Sequence, residues 1–294
     1  EGGSCLILGG THANELGGHM GAVLFVENAK VEAGTLYVIP RTNNSAFTHN
    51  DPQEGHPSTV HITTDEGNVR EFIHGSRATN PVDQWPDPDV YVNYMGQSLS
   101  GSENRNINRT YPGKADGTLT EMMSYGIVQL INTENIDVTV DLHEASPEYP
   151  VINALIAHER AMNLASNVVV DMQMEGVQIS LEPSPTDLRG LTHRELGDHT
   201  DTLALLMEAP NPAQGRLRDR TDEALVLTGK SETYVKAGEI GQLYVPYDEN
   251  GWPIEVRCAR HVFGIERILA NYASNTFPRR RAGTGRTARG SCAR

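Results

Sequence analysis

The sequence predicts an α/β fold in which helices flank a mainly parallel or mixed central sheet. Short apolar runs suited to buried strands alternate with longer segments of helical periodicity along most of the chain. Strands that alternate with helices in this way are typical of parallel sheets. Three of the apolar runs also end directly in polar residues, which is where ligands bind in open sheets of this kind. We therefore expect a single domain over residues 1–276.

The individual elements follow from these patterns in chain order. We predict strands at residues 5–9, 35–40, 138–142, 177–181 and 202–208. We predict helices at residues 13–29, 118–135, 157–173 and 259–273. Thr118 is suited to cap the second of these helices, because Glu121 follows three residues later and completes a capping box.

Residues 41–104 interrupt the alternation of strands and helices with a long polar segment. The segment contains "HNDPQEGHP" and "NPVDQWPDPD", and we predict one hairpin in it, with Glu66-Gly67 near the turn. Loops of this length in a compact domain are usually functional or disordered. We interpret the segment as a polar insertion within the domain and not as a domain of its own.

The charge of the chain is unevenly distributed. Residues 277–294 contain six arginines and no acid, and the rest of the chain contains 18 basic and 38 acidic residues. We expect residues 277–294 to be a disordered basic tail or a cloning artefact, because they have no hydrophobic period. The strongly acidic body argues against binding to nucleic acid or to an anionic membrane surface.

Several general properties have only weak sequence signals. No apolar run approaches the roughly 18 residues that a membrane span needs. Residue 1 is Glu and a strand is predicted almost at once, so we expect the N-terminus to be truncated. The sequence does not determine the cellular compartment, although the cytoplasm is slightly favoured, and the oligomeric state is unknown.

The three cysteines, Cys5, Cys258 and Cys292, predict no disulfide framework. We expect Cys5 in the core.

Three predicted strands end in residues that can take part in chemistry. The run "CLILGG" leads into His12, "VTVDL" leads into His143, and "TLALLM" leads into Glu208. The carboxyl ends of parallel strands meet at one edge of a sheet, so we expect these side chains at the same edge.

His12, Glu15 and His143 fit a catalytic zinc site. If a helix starts near Asn14, His12 and Glu15 lie about one turn apart and converge on one ion. Two histidines, one carboxylate and a water are a catalytic zinc arrangement, in which the pKa of the water falls to about 7. Glu208 is the candidate to take the proton of that water. By itself, however, the H-x-x-E spacing is common and weakly specific.

Two polar loops have both a functional and a structural interpretation. The arginines of "ENRNINRTYPG" (103–113) suit a substrate carboxylate, or the segment is an ordinary basic loop. Asp141 either orients His143 or caps a strand. The second loop, "LRGLTHRELGDHT" (188–200), contains the cationic side chains Arg189, His193 and Arg194. These side chains either contact an anionic substrate or belong to the start of a solvated helix. In the second case, Thr192 and Glu195 would form its capping box. His19 is expected at the surface.

Together, "GGTHANE", "NINRTYPG", "DLHEA" and a late strand ending in Glu resemble the zinc carboxypeptidase superfamily. The sequence is most similar to the succinylglutamate desuccinylase/aspartoacylase branch, whose site begins with Gly-x-His-Gly-Asn-Glu. The resemblance covers about residues 5–275. It implies a zinc carboxypeptidase-like (phosphorylase/hydrolase-like) catalytic domain with one Zn²⁺ per chain. His12, Glu15 and His143 would be the ligands, and Glu208 would be the general base and acid.

The resemblance also implies substrate-binding residues. Asn108 and Arg109 would hold a substrate carboxylate. Arg105 is the nearest candidate for the arginine that stabilises the oxyanion, and Tyr234 is the candidate for a tyrosine that closes the pocket. The sequence departs from the family in Ala13, which replaces Gly, in the long insertion, and in the lack of a clear C-terminal β domain.

The function predicted from these observations is zinc-dependent hydrolysis of an amide bond next to a free carboxylate. An N-acyl amino-acid deacylase is the first interpretation, and the substrate would be a small N-acyl amino acid or a short peptide. A metallocarboxypeptidase that acts on peptide C-termini uses the same machinery and is the first alternative. The second alternative is a non-catalytic binding module on the same fold.

Overall fold

The computed structural model describes residues 2–51 and 56–274. The strands are β1 (Ser4–Leu8), β2 (Thr35–Ile39), β3 (Thr59–Thr63), β4 (Val69–Ile73), β5 (Val90–Val92), β6 (Ser98–Ser100), β7 (Val138–Ala145), β8 (Ala154–Ala157), β9 (Ser180–Pro183) and β10 (Leu203–Pro210). The α-helices are α1 (Leu16–Asn28), α2 (Leu119–Glu134), α3 (Met162–Met174), α4 (Thr192–His199), α5 (Glu223–Thr228), α6 (Glu232–Glu239) and α7 (Ile254–Ser274).

Six strands form the central sheet, in the order β2-β1-β7-β10-β8-β9. Every neighbouring pair is parallel except β10 and β8, which are antiparallel. The prediction of a mixed, mainly parallel sheet is therefore confirmed. The parallel strands β1, β7 and β10 are adjacent, so their carboxyl ends meet at one edge of the sheet.

Helices cover both faces of the sheet. Along β1, Cys5 and Ile7 pack into a core with residues of α1, α3 and α7. Leu6 and Leu8 point to the opposite face and pack against α2 and α4. Alternate residues of a strand point to opposite faces, so the same rule decides which side of the sheet each site residue faces.

Some predicted elements have different boundaries in the structure. The strand predicted at 177–181 is β9, and it begins only at Ser180. The helix predicted from 157 begins at Met162, and the apolar run before it forms β8. Periodicity does not separate a four-residue buried strand from the start of a helix. The capping box of α2 is confirmed, because Thr118 accepts from the Glu121 N–H and the Glu121 side chain accepts from the Thr118 N–H.

The insertion at residues 41–104 folds against the sheet edge. The predicted hairpin is present as β3 and β4, and a second ribbon, β5 and β6, was not predicted because its strands have three residues each. The insertion contacts the turn after β1 through the backbone: the Ala13 N–H donates to Ser76 O, and the Gly75 N–H donates to Ala13 O. The insertion thereby brings its own residues next to His12.

The remaining structural predictions concern the termini and the cysteines. Cys5 and Cys258 are free and buried, as expected for Cys5. Cys292, the basic tail at 277–294 and the domain boundary at 276 lie outside the described residues. Within the described part of the chain, none of the helices has both the length and the apolar character of a membrane span.

Candidate metal centre

The turn between β1 and α1 positions His12 and Glu15. Gly10 has a φ of +61°, and a side chain there would collide with the Phe47 ring, so the turn requires glycine. Helix α1 begins at Leu16, not near Asn14 as predicted, and Glu15 precedes its first residue. The two ligand candidates therefore converge through a turn and not through one turn of helix. Their side chains are in contact, with His12 Nδ1 2.6 Å from Glu15 Oε1.

His143 completes a group of three from the neighbouring strand. Its Nδ1 lies 2.9 Å from Glu15 Oε2, so the two oxygens of one carboxylate face one nitrogen of each imidazole. The candidate ligand atoms of the three residues lie within 4.8 Å of one another, and all three residues are buried. The sequence prediction that these residues would converge agrees with this geometry.

The outer nitrogen of each imidazole is bound to a second polar side chain. His143 Nε2 lies 2.8 Å from Asp141 Oδ2, and the other oxygen of Asp141 accepts from the Thr11 hydroxyl at 2.7 Å. His12 Nε2 lies 2.9 Å from Asn106 Oδ1. Such partners select the tautomer with the proton on Nε2, which leaves each Nδ1 lone pair directed at the centre. Asp141 therefore orients His143 and does not cap its strand.

This donor set fits a zinc ion. Two imidazole nitrogens and one carboxylate are the protein ligands of catalytic zinc sites. Burial alone lowers the pKa of His143, but Asp141 and Glu15 together raise it well above its ordinary value. Burial likewise raises the pKa of Glu15, but His12 and His143 hold it well below its ordinary value. Burial and the neighbouring Arg77 lower the pKa of His12, so within this group the protein stabilises positive charge at His143 and negative charge at Glu15.

Glu208 faces the same centre from β10. It pairs with His143 in the register of the two parallel strands, so both side chains point to the α2 and α4 side of the sheet. The residue is partly exposed, yet its Oε2 is buried without a hydrogen-bond partner. Burial raises the pKa of Glu208 to about 8, Glu15 contributes to the rise, and His143 opposes it. An unpartnered carboxylate oxygen in this position is unusual and indicates a functional group.

Arg77, which the sequence did not single out, is the arginine that reaches the centre. Its Nη1 lies 3.3 Å from His12 Nδ1 and 3.4 Å from Glu15 Oε1. Arg105, the sequence candidate, instead binds both oxygens of Asp87 at 2.7 and 2.9 Å. A contact of Arg105 with a substrate would have to break that pair. Nothing in "HGSRATN" distinguishes Arg77, because its position depends on how the insertion folds.

Asn108 and Arg109 lie on the loop before α2. The side-chain oxygen of Asn108 accepts from the Thr192 N–H at 2.8 Å and hydroxyl at 2.9 Å, which fixes the loop against α4. Burial lowers the pKa of Arg109, Arg77 contributes to the fall, and Glu103, whose carboxylate lies 3.5 Å from Arg109 Nε, acts against it. Its role in binding a carboxylate stays a prediction.

The tyrosine predicted to close the pocket is surrounded by other side chains of the protein. Tyr234 is fully buried, its hydroxyl donates to Glu148 Oε2 at 2.8 Å, and its ring packs against Tyr247. Its role at the pocket stays a prediction.

The polar helix α4 is buried, contrary to the interpretation of a solvated helix start. Arg189 binds Glu195 through two bonds of 2.7 Å, and Arg194 binds Glu159 through bonds of 2.9 and 2.7 Å. These cations are therefore paired with protein carboxylates. The predicted capping box is also wrong, because Thr192 is the first helical residue and Leu191 precedes it.

His19 was expected at the surface but is buried. Its Nδ1 lies 2.7 Å from Pro40 O, and its ring packs against Phe47 from the insertion. The helical pattern of α1 alone could not show this, because the insertion covers the face that would otherwise be solvated.

Comparison with known proteins supports the fold assignment. No family model matches the chain, and no curated protein matches it. Among solved structures, a succinylglutamate desuccinylase from Silicibacter sp. TM1040 superimposes with a TM-score of 0.51 at 16% identity, over 92% of this chain and 57% of that one. The mDAP-bound form of Helicobacter pylori Csd4, a D,L-carboxypeptidase, gives 0.50 at 14% identity, over 92% and 50%. The predicted resemblance is thus confirmed for the fold, and the chain spans about half the length of these proteins.

Asp141 offers a test of the metal centre. We expect D141N to raise the dissociation constant for Zn²⁺ by about 10- to 100-fold, because an amide holds the His143 imidazole less firmly than a carboxylate does. Competition with a chromophoric chelator measures this constant. D137N is the matched control, because Asp137 binds Ser4 at the other end of β7. Equal zinc affinity in D141N and the wild type would contradict the proposed ligand geometry.

Proposed function

We propose that this protein is a zinc-dependent hydrolase that cleaves an amide bond next to a free carboxylate, with N-acyl amino acids as its substrate class. The principal support is the position of Glu208, whose unpartnered carboxylate oxygen faces the same side of the sheet as His143. A ligand group of His12, Glu15 and His143 together with a separate carboxylate provides both a Lewis-acid site and a general base. A domain that only binds a metal has no need for the second of these.

The chemistry divides between the metal and the protein. A Zn²⁺ held by His12, Glu15 and His143 would polarise the scissile carbonyl and lower the pKa of a water molecule. Glu208 would accept a proton from the attacking water and then donate it to the leaving nitrogen. The raised pKa of Glu208 favours its protonated form, which is the form that donates to the leaving nitrogen.

The arginines at the site would bind the charged parts of the substrate. Arg109 would hold the free carboxylate of the amino acid, since a guanidinium presents a planar set of donors that matches a carboxylate. Arg77 lies beside His12 and Glu15, so it is placed to stabilise negative charge that develops on the carbonyl oxygen. This assigns to Arg77 the role that the sequence analysis gave to Arg105.

The alternatives differ in the substrate or in the absence of turnover. A metallocarboxypeptidase would use the same residues on the C-terminal peptide bond, and one protein of similar fold is described as a D,L-carboxypeptidase. A non-catalytic binding module would need neither Glu208 nor Arg77.

A substrate panel tests the proposal directly. We expect the zinc-loaded chain to release amino acids from N-acyl amino acids and to act more slowly on blocked dipeptides and tripeptides with free C-termini. Detection of the released amine measures both reactions. Faster cleavage of the peptides would favour the carboxypeptidase, and no turnover by a chain that binds zinc tightly would favour the binding module.

Replacement of Glu208 tests the general base. We expect E208Q to lower kcat by about 10²- to 10⁴-fold while its zinc affinity stays within a few-fold of the wild type, because an amide cannot accept the proton. Steady-state kinetics and chelator competition give the two quantities. E182Q, on the strand β9, is the control for the loss of one carboxylate. A fully active E208Q would show that another group takes the proton.

Replacement of Arg109 tests carboxylate recognition. We expect R109M to lower kcat/KM by about 10- to 100-fold, chiefly through KM, because hydrogen bonds to a charged group contribute about 1.5–3 kcal/mol. The loss should vanish when the substrate carboxylate is replaced by an amide. R216M removes an exposed arginine and should leave kcat/KM unchanged. An equal loss by R109M on the acid and amide substrates would argue against the assignment.

A further inference from the structure

The sheet has a second buried charge pair directly behind the candidate metal centre. Glu144 follows His143 on β7, so its side chain points to the opposite face, between α1 and α7. There it meets Arg257 of α7, whose Nη1 lies 3.0 Å from one carboxylate oxygen and 3.2 Å from the other. Both side chains are fully buried.

Glu144 contacts the turn that contains the metal ligands through two different groups. Its backbone N–H donates to Glu15 Oε2 at 3.0 Å, the oxygen that also faces His143. Its carboxylate accepts from the N–H of Gly17, in the first turn of α1, at 3.1 Å. One residue therefore restrains both the Glu15 side chain and the start of the helix that follows Glu15.

A buried carboxylate can hold this position only if its charge is compensated. Isolation of a carboxylate from water is strongly unfavourable unless it is paired and hydrogen-bonded. Arg257 supplies the charge, Asn211 donates a further hydrogen bond at 3.0 Å, and Val226 O accepts from the other end of the guanidinium. Within the described residues, the hydrogen bonds of the Arg257 side chain go to Glu144 and to Val226 O, so its polar connection to the candidate ligands runs through Glu144.

We propose that Arg257 and Glu144 form a positioning pair that holds Glu15 in the geometry required to bind the metal. The pair connects α7, near the end of the described chain, to the centre on the other face of the sheet. This inference rests on the proposed metal centre and adds two positioning residues that do not themselves contact the metal or the substrate.

Gly17 fits the same arrangement. A Cβ at Gly17 would collide with the Glu144 carboxylate and approach Arg257 Cβ to 3.3 Å. Helix α1 can therefore lie this close to the pair only if the residue at this position has no side chain. The requirement explains why a helix-destabilising residue occupies the first turn of α1.

The test measures zinc affinity and stability separately. We expect R257M and E144Q each to raise the zinc dissociation constant by about tenfold or more and to lower the unfolding midpoint in urea, because each leaves one buried charge unpaired. R257K should lie closer to the wild type in both measurements, since an ammonium can still compensate the carboxylate. E195Q is the control, because it removes another fully buried carboxylate, which pairs with the 23% exposed Arg189, and should destabilise the chain without weakening zinc binding.

The double variant E144Q/R257M distinguishes positioning from a purely structural role, and it tests the proposal even if a single variant fails to fold. Replacement of both charges by neutral groups should restore most of the stability. The neutral amide accepts more weakly from the Gly17 N–H and so restrains the start of α1, which follows Glu15 directly, less firmly. The dissociation constant should therefore stay at least about tenfold above that of the wild type. Recovery of wild-type zinc affinity together with stability would overturn the inference. A wild-type chain that binds no zinc would instead contradict the proposed function itself.

Discussion

The geometry of the candidate metal centre depends on the carboxylate of Glu15, which contacts two imidazoles at once. Its two oxygens face one nitrogen from His12 and one from His143, at 2.6 and 2.9 Å, and all three residues are buried. Charges in such surroundings interact far more strongly than at a surface, so the Glu15 carboxylate has a strong influence on the groups that it contacts. The neighbouring contacts of Asp141, Asn106 and the Glu144 N–H all fix the donor atoms around that centre.

The alternation of side chains along each strand determines which side of the sheet each of these residues faces. Along β7, Asp141 and His143 point to one face and Glu144 points to the other. The parallel register with β10 then places Glu208 beside His143. A slip of one residue in this pairing would send Glu208 to the α1 and α7 side. The apolar residues of β7 and β10 prevent such a slip, because it would also move them out of their cores.

The residues of the candidate site that could be predicted from the sequence are those that lie at strand ends. His12, His143 and Glu208 each follow or end an apolar run, and parallel strands bring such positions together without further information. Arg77 could not be found in this way, because its place depends on backbone contacts between the insertion and Ala13, 64 residues earlier in the chain. The burial of α4 was missed for a related reason. A charged helix appears solvated in a sequence when its partners, such as Glu159 for Arg194, lie far away in the chain.

The glycines at the start of α1 allow the helix to lie close to β7, at a cost in helix stability. A glycine costs about 1 kcal/mol relative to alanine inside a helix, and α1 has two in succession at Gly17 and Gly18. A Cβ at Gly18 would collide with the Leu142 carbonyl of β7, a backbone group that cannot move without breaking the sheet. Residues with better helix propensity would therefore push α1 away from β7 and draw Glu15 away from His143. The low helix propensity of this turn is a condition for the three candidate ligands to meet.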